Sequence, residues 1–223
     1  MNRKQINLSF LNCKNFKSNI IYSEYLVSHS NITYFNELWL KQNECTLLDS
    51  ISKNKKILFK SDMDCNYNKG RPYGGQAFII DDNLNVIESD FLNRYLSYIF
   101  LDIHGLKTLF IGVYMPFDDS KHESKCLYEI TLSYISALIT KFKHDEIPIF
   151  LIGDFNADFF RKNRFDKILS EFTSDHNLLP LDHQCTQYFE YTFATELKDK
   201  LYHFNLDHAM ILEGMESKIS DIQ

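Results

Sequence analysis

The sequence predicts an α/β sandwich, in which two β-sheets pack together and helices cover their outer faces. Its 223 residues suit one layered domain, with 44% hydrophobic and 15% aromatic residues to fill the core. Short strand-like segments occur in groups, with a few helical segments between them, which is the order expected of such a sandwich. We therefore interpret residues 1–223 as a single domain.

Short apolar runs and turn residues place the strands, and apolar residues at helical spacing place the helices. The predicted strands are 6–13, 32–35, 56–60, 76–80, 96–102, 107–115, a central strand from Ile147, 188–193 and 204–212. The predicted helices are 19–29, 44–52, 120–143 and 164–172. The segment 61–75 is polar, and the loop Gly70 to Gly75 at its end is interpreted as a tight turn into a strand, with direct contact to a bound substrate as the alternative.

Charge and cysteine content restrict the class of protein. The net charge of −6 has the wrong sign for holding DNA by bulk electrostatics, although a divalent cation can compensate a carboxylate-rich site locally. Five cysteines form no CxxC pair, which predicts reduced thiols inside the cell and no zinc site. No signal-peptide core and no apolar run of about 20 residues is found, so we expect no membrane segment.

The central strand ends in the segment Gly153, Asp154, Phe155, Asn156. Because side chains alternate along a strand, Asp154 and Asn156 point to one side and Phe155 to the other. A carboxylate can orient and deprotonate a water, and a neutral amide can hold a phosphate oxygen without repelling it. The segment therefore suits phosphodiester chemistry, while an ordinary polar strand end explains it equally well.

Five further polar residues lie at or near predicted strand ends, where sites on sheet scaffolds collect. They are Asn12, Glu37, Tyr114, Thr192 and Asp207. Each also has an ordinary structural explanation: a turn former for Asn12, a solvated helix start for Glu37, a core aromatic for Tyr114 and a local cap for Asp207. If they are functional, they should converge at one end of the sheets.

Seven short motifs in order resemble the endonuclease/exonuclease/phosphatase superfamily, the fold of deoxyribonuclease I. The motifs are Leu11-Asn12, Asn36 to Leu40, Gly70 to Gly75, Val113 to Pro116, Gly153 to Ala157, Tyr191 to Phe193 and Leu206 to His208. They are most similar to endonuclease domains of LINE-type (non-LTR) retrotransposons. The resemblance spans about Ile6 to Leu212 and implies a four-layered α/β sandwich with the site at one end of the two sheets.

The resemblance also implies roles for single residues. Glu37 and Asn12 are similar to the ligands of a Mg²⁺ or Mn²⁺ ion, which prefers oxygen. Asp154 would activate the attacking water, and Asn156 and Tyr114 would hold the phosphate. Of the remaining two residues, Thr192 would contact the substrate backbone, and Asp207 would orient a catalytic histidine.

That histidine belongs to a Ser-Asp-His element on a last strand, beyond the position of Asp207. The chain stops at Gln223, before such an element, so we expect the C-terminal strand to be missing and turnover to be weakened. The segment Ser174-Asp175-His176 has the same three residues as this element, but it is interpreted as the end of a helix. His208 follows Asp207 directly and should point to the opposite face.

Two hypotheses of different class follow. In the first, the chain is a Mg²⁺-dependent endonuclease domain that nicks DNA in the nucleus, joined in the full element to a reverse transcriptase; a phosphatase or an RNA-acting enzyme of the same fold is the alternative. In the second, the chain is a truncated or domesticated remnant that acts as a binding module.

Overall fold

The computed structural model describes residues 5–64, 70–143, 147–181, 191–197 and 200–215. The chain forms two compact units, residues 1–106 and 107–223. Three of the cysteines, Cys13, Cys45 and Cys126, are free thiols; Cys65 and Cys185 lie outside the described residues. None of the described helices is long and apolar enough to cross a membrane.

The first unit contains a four-stranded sheet and a further pair of antiparallel strands. Its elements are β1 (Leu8–Asn12), α1 (Ile20–His29), β2 (Ile32–Asn36), α2 (Thr46–Asp49), β3 (Lys55–Lys60), β4 (Gln76–Asp81), β5 (Asn85–Asn93) and β6 (Leu96–Ile103). The sheet order is β1-β2-β4-β3, with β1 and β2 parallel and the other pairs antiparallel. Every residue of β2 is buried, as its apolar run predicts, and α1 packs against β1 and β2.

The second unit contains the central strand of the site. Its elements are β7 (Leu106–Tyr114), which begins at the unit boundary, α3 (His122–Lys143), β8 (Ile149–Asp154), α4 (Arg164–His176), β9 (Leu178–Pro180), β10 (Phe193–Leu197), β11 (Lys200–Phe204) and β12 (Asp207–Leu212). The strand order is β7-β8-β12-β9, in which β7 and β8 are parallel and the later pairs antiparallel. β10 and β11 form a hairpin of their own.

Most predicted elements are present, and the late strands need correction. The predicted strand 188–193 is wrong at its end, because the strand β10 begins at Phe193; residues 188–190 lie outside the described residues. The predicted strand 204–212 is two strands, β11 and β12, because side-chain oxygens bind the backbone N–H groups of Asn205, Leu206 and Asp207.

Two strands were not predicted from the sequence. β5 is interrupted by two register shifts, so its apolar residues do not alternate regularly. β9 has only three residues, Leu178–Pro180, too few to give a pattern.

Gly153 allows β7 and β8 to approach each other near their ends. It pairs with Val113 and has a φ of 144°, and a Cβ atom at this position would lie 1.9 Å from the Val113 carbonyl oxygen. No side chain fits there without a backbone shift. The glycine before Asp154 is therefore a packing requirement of this strand pair.

We expect Gly153→Ala to lower the free energy of unfolding by about 3 kcal/mol or more, because backbone must move to admit the methyl group. Gly105→Ala is the matched control: Gly105 also has a positive φ, 89°, but a Cβ atom there meets nothing within 4 Å. Its cost should be about 1 kcal/mol. Urea unfolding of both variants measures the difference, and equal costs would contradict this account of Gly153.

Candidate active site

In the first unit, Asn12 and Glu37 lie at the same edge of the sheet. Asn12 ends β1 and pairs with Asn36, the last residue of the parallel strand β2, and Glu37 follows directly. The carboxyl ends of parallel strands meet at one edge. The structure therefore brings together the two residues that the resemblance assigns to a metal.

The carboxylate of Glu37 is held by two hydrogen bonds. The indole Nε1 of Trp39 donates to Glu37 Oε2 at 2.6 Å, and the backbone N–H of Gly74 donates to Oε1 at 3.2 Å. A carboxylate has about four acceptor directions, so these two bonds orient the group without saturating it. Glu37 is half-buried, which suits an anion that is held in place yet accessible.

The backbone around Glu37 is strained. Glu37 and Trp39 have φ values of 51° and 55°, a region that side-chain-bearing residues seldom occupy. The segment is fastened to the next loop by hydrogen bonds from Leu38 N to Gly75 O, 3.3 Å, and from Trp39 N to Gly74 O, 2.9 Å. The loop Gly70–Gly75 leads into β4, and it also supports Glu37, which the sequence did not indicate.

The donor set at this edge fits a hard divalent cation. Mg²⁺ commonly takes one or two carboxylates from a protein and completes its shell with water and substrate oxygens. A carboxylate at Glu37 and an amide oxygen at Asn12 match that preference. Over the described ranges, the structure contains no cluster of three His, Cys, Asp or Glu side chains that could hold a metal ion.

In the second unit, Tyr114, Asp154 and Asp207 occupy one row across three neighbouring strands. Tyr114 ends β7 and pairs with Asp154, which ends β8; Asp154 in turn pairs with Asp207, which opens β12. Residues paired across neighbouring strands project from the same face of the sheet. The register thus places a phenol and two carboxylates side by side.

Asn156 lies beside this row in the turn after β8. It adopts a left-handed conformation, φ 49°, which Asn tolerates better than most residues. Its N–H donates to Asp154 Oδ1 at 2.9 Å, and its side-chain Nδ2 donates to the Met115 carbonyl at 2.7 Å. Asn156 therefore fixes one oxygen of the Asp154 carboxylate and connects it to the end of β7.

The turn rests on a buried tyrosine of α3. Tyr128 donates its hydroxyl to the carbonyl of Phe155 at 3.1 Å, and its ring lies against Phe165 with centroids 4.2 Å apart. Burial raises the pKa of Tyr128 well above its usual value, and the carboxylates of Asp166 and Asp154 add to the shift. The hydroxyl stays protonated and remains a donor to this turn.

Thr192 and Asp158 hold the backbone that leads into Asp207. The hydroxyl oxygen of Thr192 accepts hydrogen bonds from Leu206 N at 2.9 Å and Asp207 N at 3.1 Å. Asp158 is 6% exposed, and its Oδ2 accepts from Asn205 N at 2.9 Å. Thr192 thus positions Asp207 in this structure, and Asp158 is a supporting residue to which the sequence analysis gave no role.

A buried ion pair supports Asp158 in turn. Asp166 Oδ1 accepts from Asp158 N at 2.8 Å, and its two oxygens accept from the guanidinium of Arg161 at 2.8 and 3.0 Å. Burial acts to raise the pKa of Asp166, but the Arg161 guanidinium and the N–H groups of Asp158 and Asn163 outweigh it, so the pKa falls below its usual value. Asp166 is ionised at neutral pH and ties the β8–α4 loop to the start of α4.

The structure places the two histidines discussed above away from this row. His208 is 3% exposed; its Nε2 lies 2.9 Å from the Ala157 carbonyl, and its ring packs against Phe155 and Phe159. It pairs with Gly153, one position along from the row, so it projects from the opposite face. His176 is the last residue of α4, as predicted for the Ser174 to His176 segment.

Comparisons with known proteins identify the fold. No family model and no curated protein sequence matches the chain. A Neisseria 3′ phosphatase, NExo, solved with a product DNA hairpin, matches with a TM-score of 0.67 and 13% identity over 97% of this chain and 90% of its own. The mannosyl-6-phosphatase of Bacteroides thetaiotaomicron matches with a TM-score of 0.66 and 13% identity, covering 94% and 86% of the two chains.

The catalytic domain of human Nocturnin, solved with a sulfate anion, matches with a TM-score of 0.66 and 15% identity over 93% of this chain and 82% of its own. A further match is described as an endonuclease/exonuclease/phosphatase family protein. The chain therefore has the fold of endonuclease/exonuclease/phosphatase structures, and the predicted deoxyribonuclease I-like α/β sandwich is confirmed. The roles of single residues, and the joining of the two groups of residues into one site, stay predictions.

We expect Asp166→Asn to lower the free energy of unfolding by about 3 kcal/mol at pH 7, because it leaves Arg161 without its buried partner. A carboxyl whose pKa is depressed by folding stabilises the folded state above its unfolded pKa, about 3.9, and loses that contribution as pH falls through the folded pKa. The gap between wild type and variant should therefore narrow below about pH 4.

Urea unfolding at pH 7 and at a series of pH values below 4 measures this gap. Asp175→Asn is the matched control, since Asp175 lies on the same helix but is exposed, and it should change stability by less than about 0.5 kcal/mol. A gap for Asp166→Asn that stays constant with pH would show that the carboxylate charge is not what stabilises this loop.

Proposed function

We propose that the chain is a phosphodiesterase of the endonuclease/exonuclease/phosphatase superfamily that nicks DNA with the help of Mg²⁺ or Mn²⁺. The observation that carries the proposal is the row of Tyr114, Asp154 and Asp207 on three neighbouring strands. Tyr114 and Asp207 are 93 positions apart in the sequence, yet both are in register with Asp154 at the ends of neighbouring strands. This alignment of distant residues supports a shared functional role.

The groups of the row suit attack of water on a phosphodiester. Asp154 is 7% exposed and has one oxygen bound to Asn156 N, so its carboxylate is oriented before substrate arrives. We assign it the alignment and deprotonation of the attacking water. Tyr114 and Asn156 are neutral donors, and we assign them the phosphate oxygens, which they can bind without adding negative charge.

Glu37 and Asn12 would hold the metal ion. A bound divalent cation supplies neutralisation of the charge that develops on the phosphate and on the leaving oxygen. The protein's own contribution is to keep the Glu37 carboxylate oriented, which the hydrogen bonds from Trp39 and Gly74 do. We propose that the groups of both units serve the same reaction, as the resemblance implies.

Asp207 and Thr192 have different parts in this proposal. We assign Asp207 the role of orienting a catalytic histidine. His208 does not fit the role of that histidine, because its side chain projects from the other face of β12. Thr192 fixes the backbone of Asp207 through its hydroxyl oxygen and still has a hydroxyl hydrogen to donate to a substrate phosphate.

The proposed retrotransposon origin rests on the seven sequence motifs taken together, in their order and spacing from Leu11-Asn12 to Leu206-His208. A LINE-type endonuclease would act on chromosomal DNA in the nucleus and would be encoded together with a reverse transcriptase. Reading the genomic sequence around the coding segment tests this origin, and a neighbouring frame unrelated to any reverse transcriptase would count against it.

A plasmid-nicking assay with Mg²⁺ tests the function. Wild type should convert supercoiled DNA to open circles, and Asp154→Asn should reduce the rate by about 10³-fold, because the water loses its base. The control is His208→Gln, which removes an imidazole from the core and not from the row. Its free energy of unfolding should fall by about 1–3 kcal/mol. Below its melting temperature, it should still nick DNA at a rate within about threefold of wild type.

The same proteins are also assayed with a sugar phosphate monoester, since one structural match is a mannosyl-6-phosphatase. Turnover of the monoester without nicking would favour the phosphatase alternative. Loss of nicking in His208→Gln with Asp154→Asn still active would overturn the assignment of the row, and the absence of any turnover by wild type would favour a binding module.

A further inference from the structure

Two arginines of the first unit lie on aromatic rings close to Glu37. The guanidinium carbon of Arg71 is 5.0 Å from the centroid of Trp39, the residue that holds Glu37. That of Arg94 is 5.5 Å from the ring of Tyr73 and 5.1 Å from the ring of Tyr95. Arg71 and Tyr73 belong to the loop Gly70–Gly75, and Arg94 lies in the turn between β5 and β6.

Hydrogen bonds hold the two loops together. Gln76 opens β4 directly after the first loop, and its Nε2 donates to the Asn93 carbonyl at 2.9 Å. Asn93 pairs with Leu96, so Arg94 and Tyr95 form a two-residue turn, in which Asn93 Oδ1 accepts from Tyr95 N at 2.7 Å. The turn is therefore anchored to the start of β4, and the backbone that carries the Arg94 side chain is held in place.

A third cation lies at the same place. Lys60 ends β3, pairs with Gln76, and donates its Nζ to the Phe91 carbonyl at 2.9 Å. Lys60 and Arg94 form no ion pair with any residue in the described part of the chain, and the side chains of Arg71 and Arg94 are exposed. In a chain of net charge −6, such a group of positive charges is a local feature.

A guanidinium that lies on an aromatic ring keeps its N–H donors at its edge. The ring covers one face of the cation, while the five N–H groups lie in the plane and can bind two phosphate oxygens at once. The tyrosine and tryptophan rings beside it are half-buried, and their accessible faces offer surfaces on which sugars and bases can pack. Cations and rings in alternation fit a chain of phosphates better than a single small phosphoester.

We propose that Lys60, Arg71 and Arg94, supported by Trp39, Tyr73 and Tyr95, bind the phosphodiester backbone of a DNA strand that leads to Glu37. This arginine surface deepens the proposed function, on which it rests for the identity of the polymer. The surface adds a stretch of backbone contacts outside the reacting phosphate. It explains how a protein of negative net charge holds DNA, since contacts with phosphates position a nucleic acid without reading its sequence.

The test is fluorescence anisotropy of a short labelled DNA duplex in EDTA, so that binding is measured without turnover. Arg94→Gln should weaken binding about five- to tenfold, and Arg71→Gln/Arg94→Gln about fiftyfold. The slope of log affinity against log salt should fall by about 0.9 for each lost phosphate contact. Arg94→Lys keeps the charge but not the planar fork, so its affinity should lie between those of wild type and Arg94→Gln.

Lys53→Gln is the matched control. Lys53 is exposed and lies before β3, and Lys60 ends β3, so the strand, about 17 Å long at the usual rise per residue, lies between them. The control should bind within about twofold of wild type. Equal affinities for Arg94→Gln and Lys53→Gln, an unchanged salt slope, or complete competition by polyglutamate at equal charge would overturn the proposal.

Nicking by the same variants separates this proposal from the proposed function. If Arg94→Gln binds DNA as wild type does while Asp154→Asn abolishes nicking, the arginine surface is refuted and the function stands. If Arg94→Gln loses affinity and salt slope while no protein nicks DNA, the surface stands and the hydrolytic function fails. Thermal melting checks that Arg94→Gln, a change at an exposed turn residue, is folded, and its melting temperature should equal that of wild type.

Discussion

The candidate site depends on the pairing of β8 with a neighbour on each side. β7 runs parallel to it and β12 antiparallel, so the carboxyl end of two strands and the amino end of the third meet at one edge. Gly153 makes this possible, because only a residue without a side chain lets the Val113 backbone come so close. The register then fixes Tyr114, Asp154 and Asp207 in a row, and a slip of one residue would exchange Asp207 for the buried His208.

Rigid support surrounds the polar groups in both units. Glu37 is held by an indole and a backbone N–H in a strained segment, and Asp207 follows a turn that Thr192 and Asp158 hold. Strained backbone of this kind persists only where neighbouring contacts enforce it, and it is concentrated at functional sites. Orientation before substrate binds is what hydrolysis of a phosphodiester requires, since most of its catalysis comes from positioning and electrostatics.

The sequence predicted the fold class and the strand ends because buried strands and tight turns leave local patterns. Asn12, Glu37, Tyr114 and Asp154 could be found in this way, each at the end of an apolar run. The supports could not, because the contacts of Gly74 with Glu37 and of Asp158 with Asn205 join segments that are distant in the sequence. β5 was not predicted because two bulges interrupt the alternation of its side chains. β11 and β12 were predicted as one strand because the break at Asn205 and Leu206 depends on distant side chains, Asp158 and Thr192, which accept hydrogen bonds from their N–H groups.

The central claim is that Glu37 and Asp154 serve one reaction, and a double-mutant cycle on DNA nicking tests it most directly. Glu37→Gln and Asp154→Asn are assayed singly and together at saturating Mg²⁺. Groups that act in one transition state are strongly non-additive, so the double variant should be little slower than the slower single variant. A double variant whose loss equals the product of the two single losses would show that the residues act independently, and it would contradict a single active site.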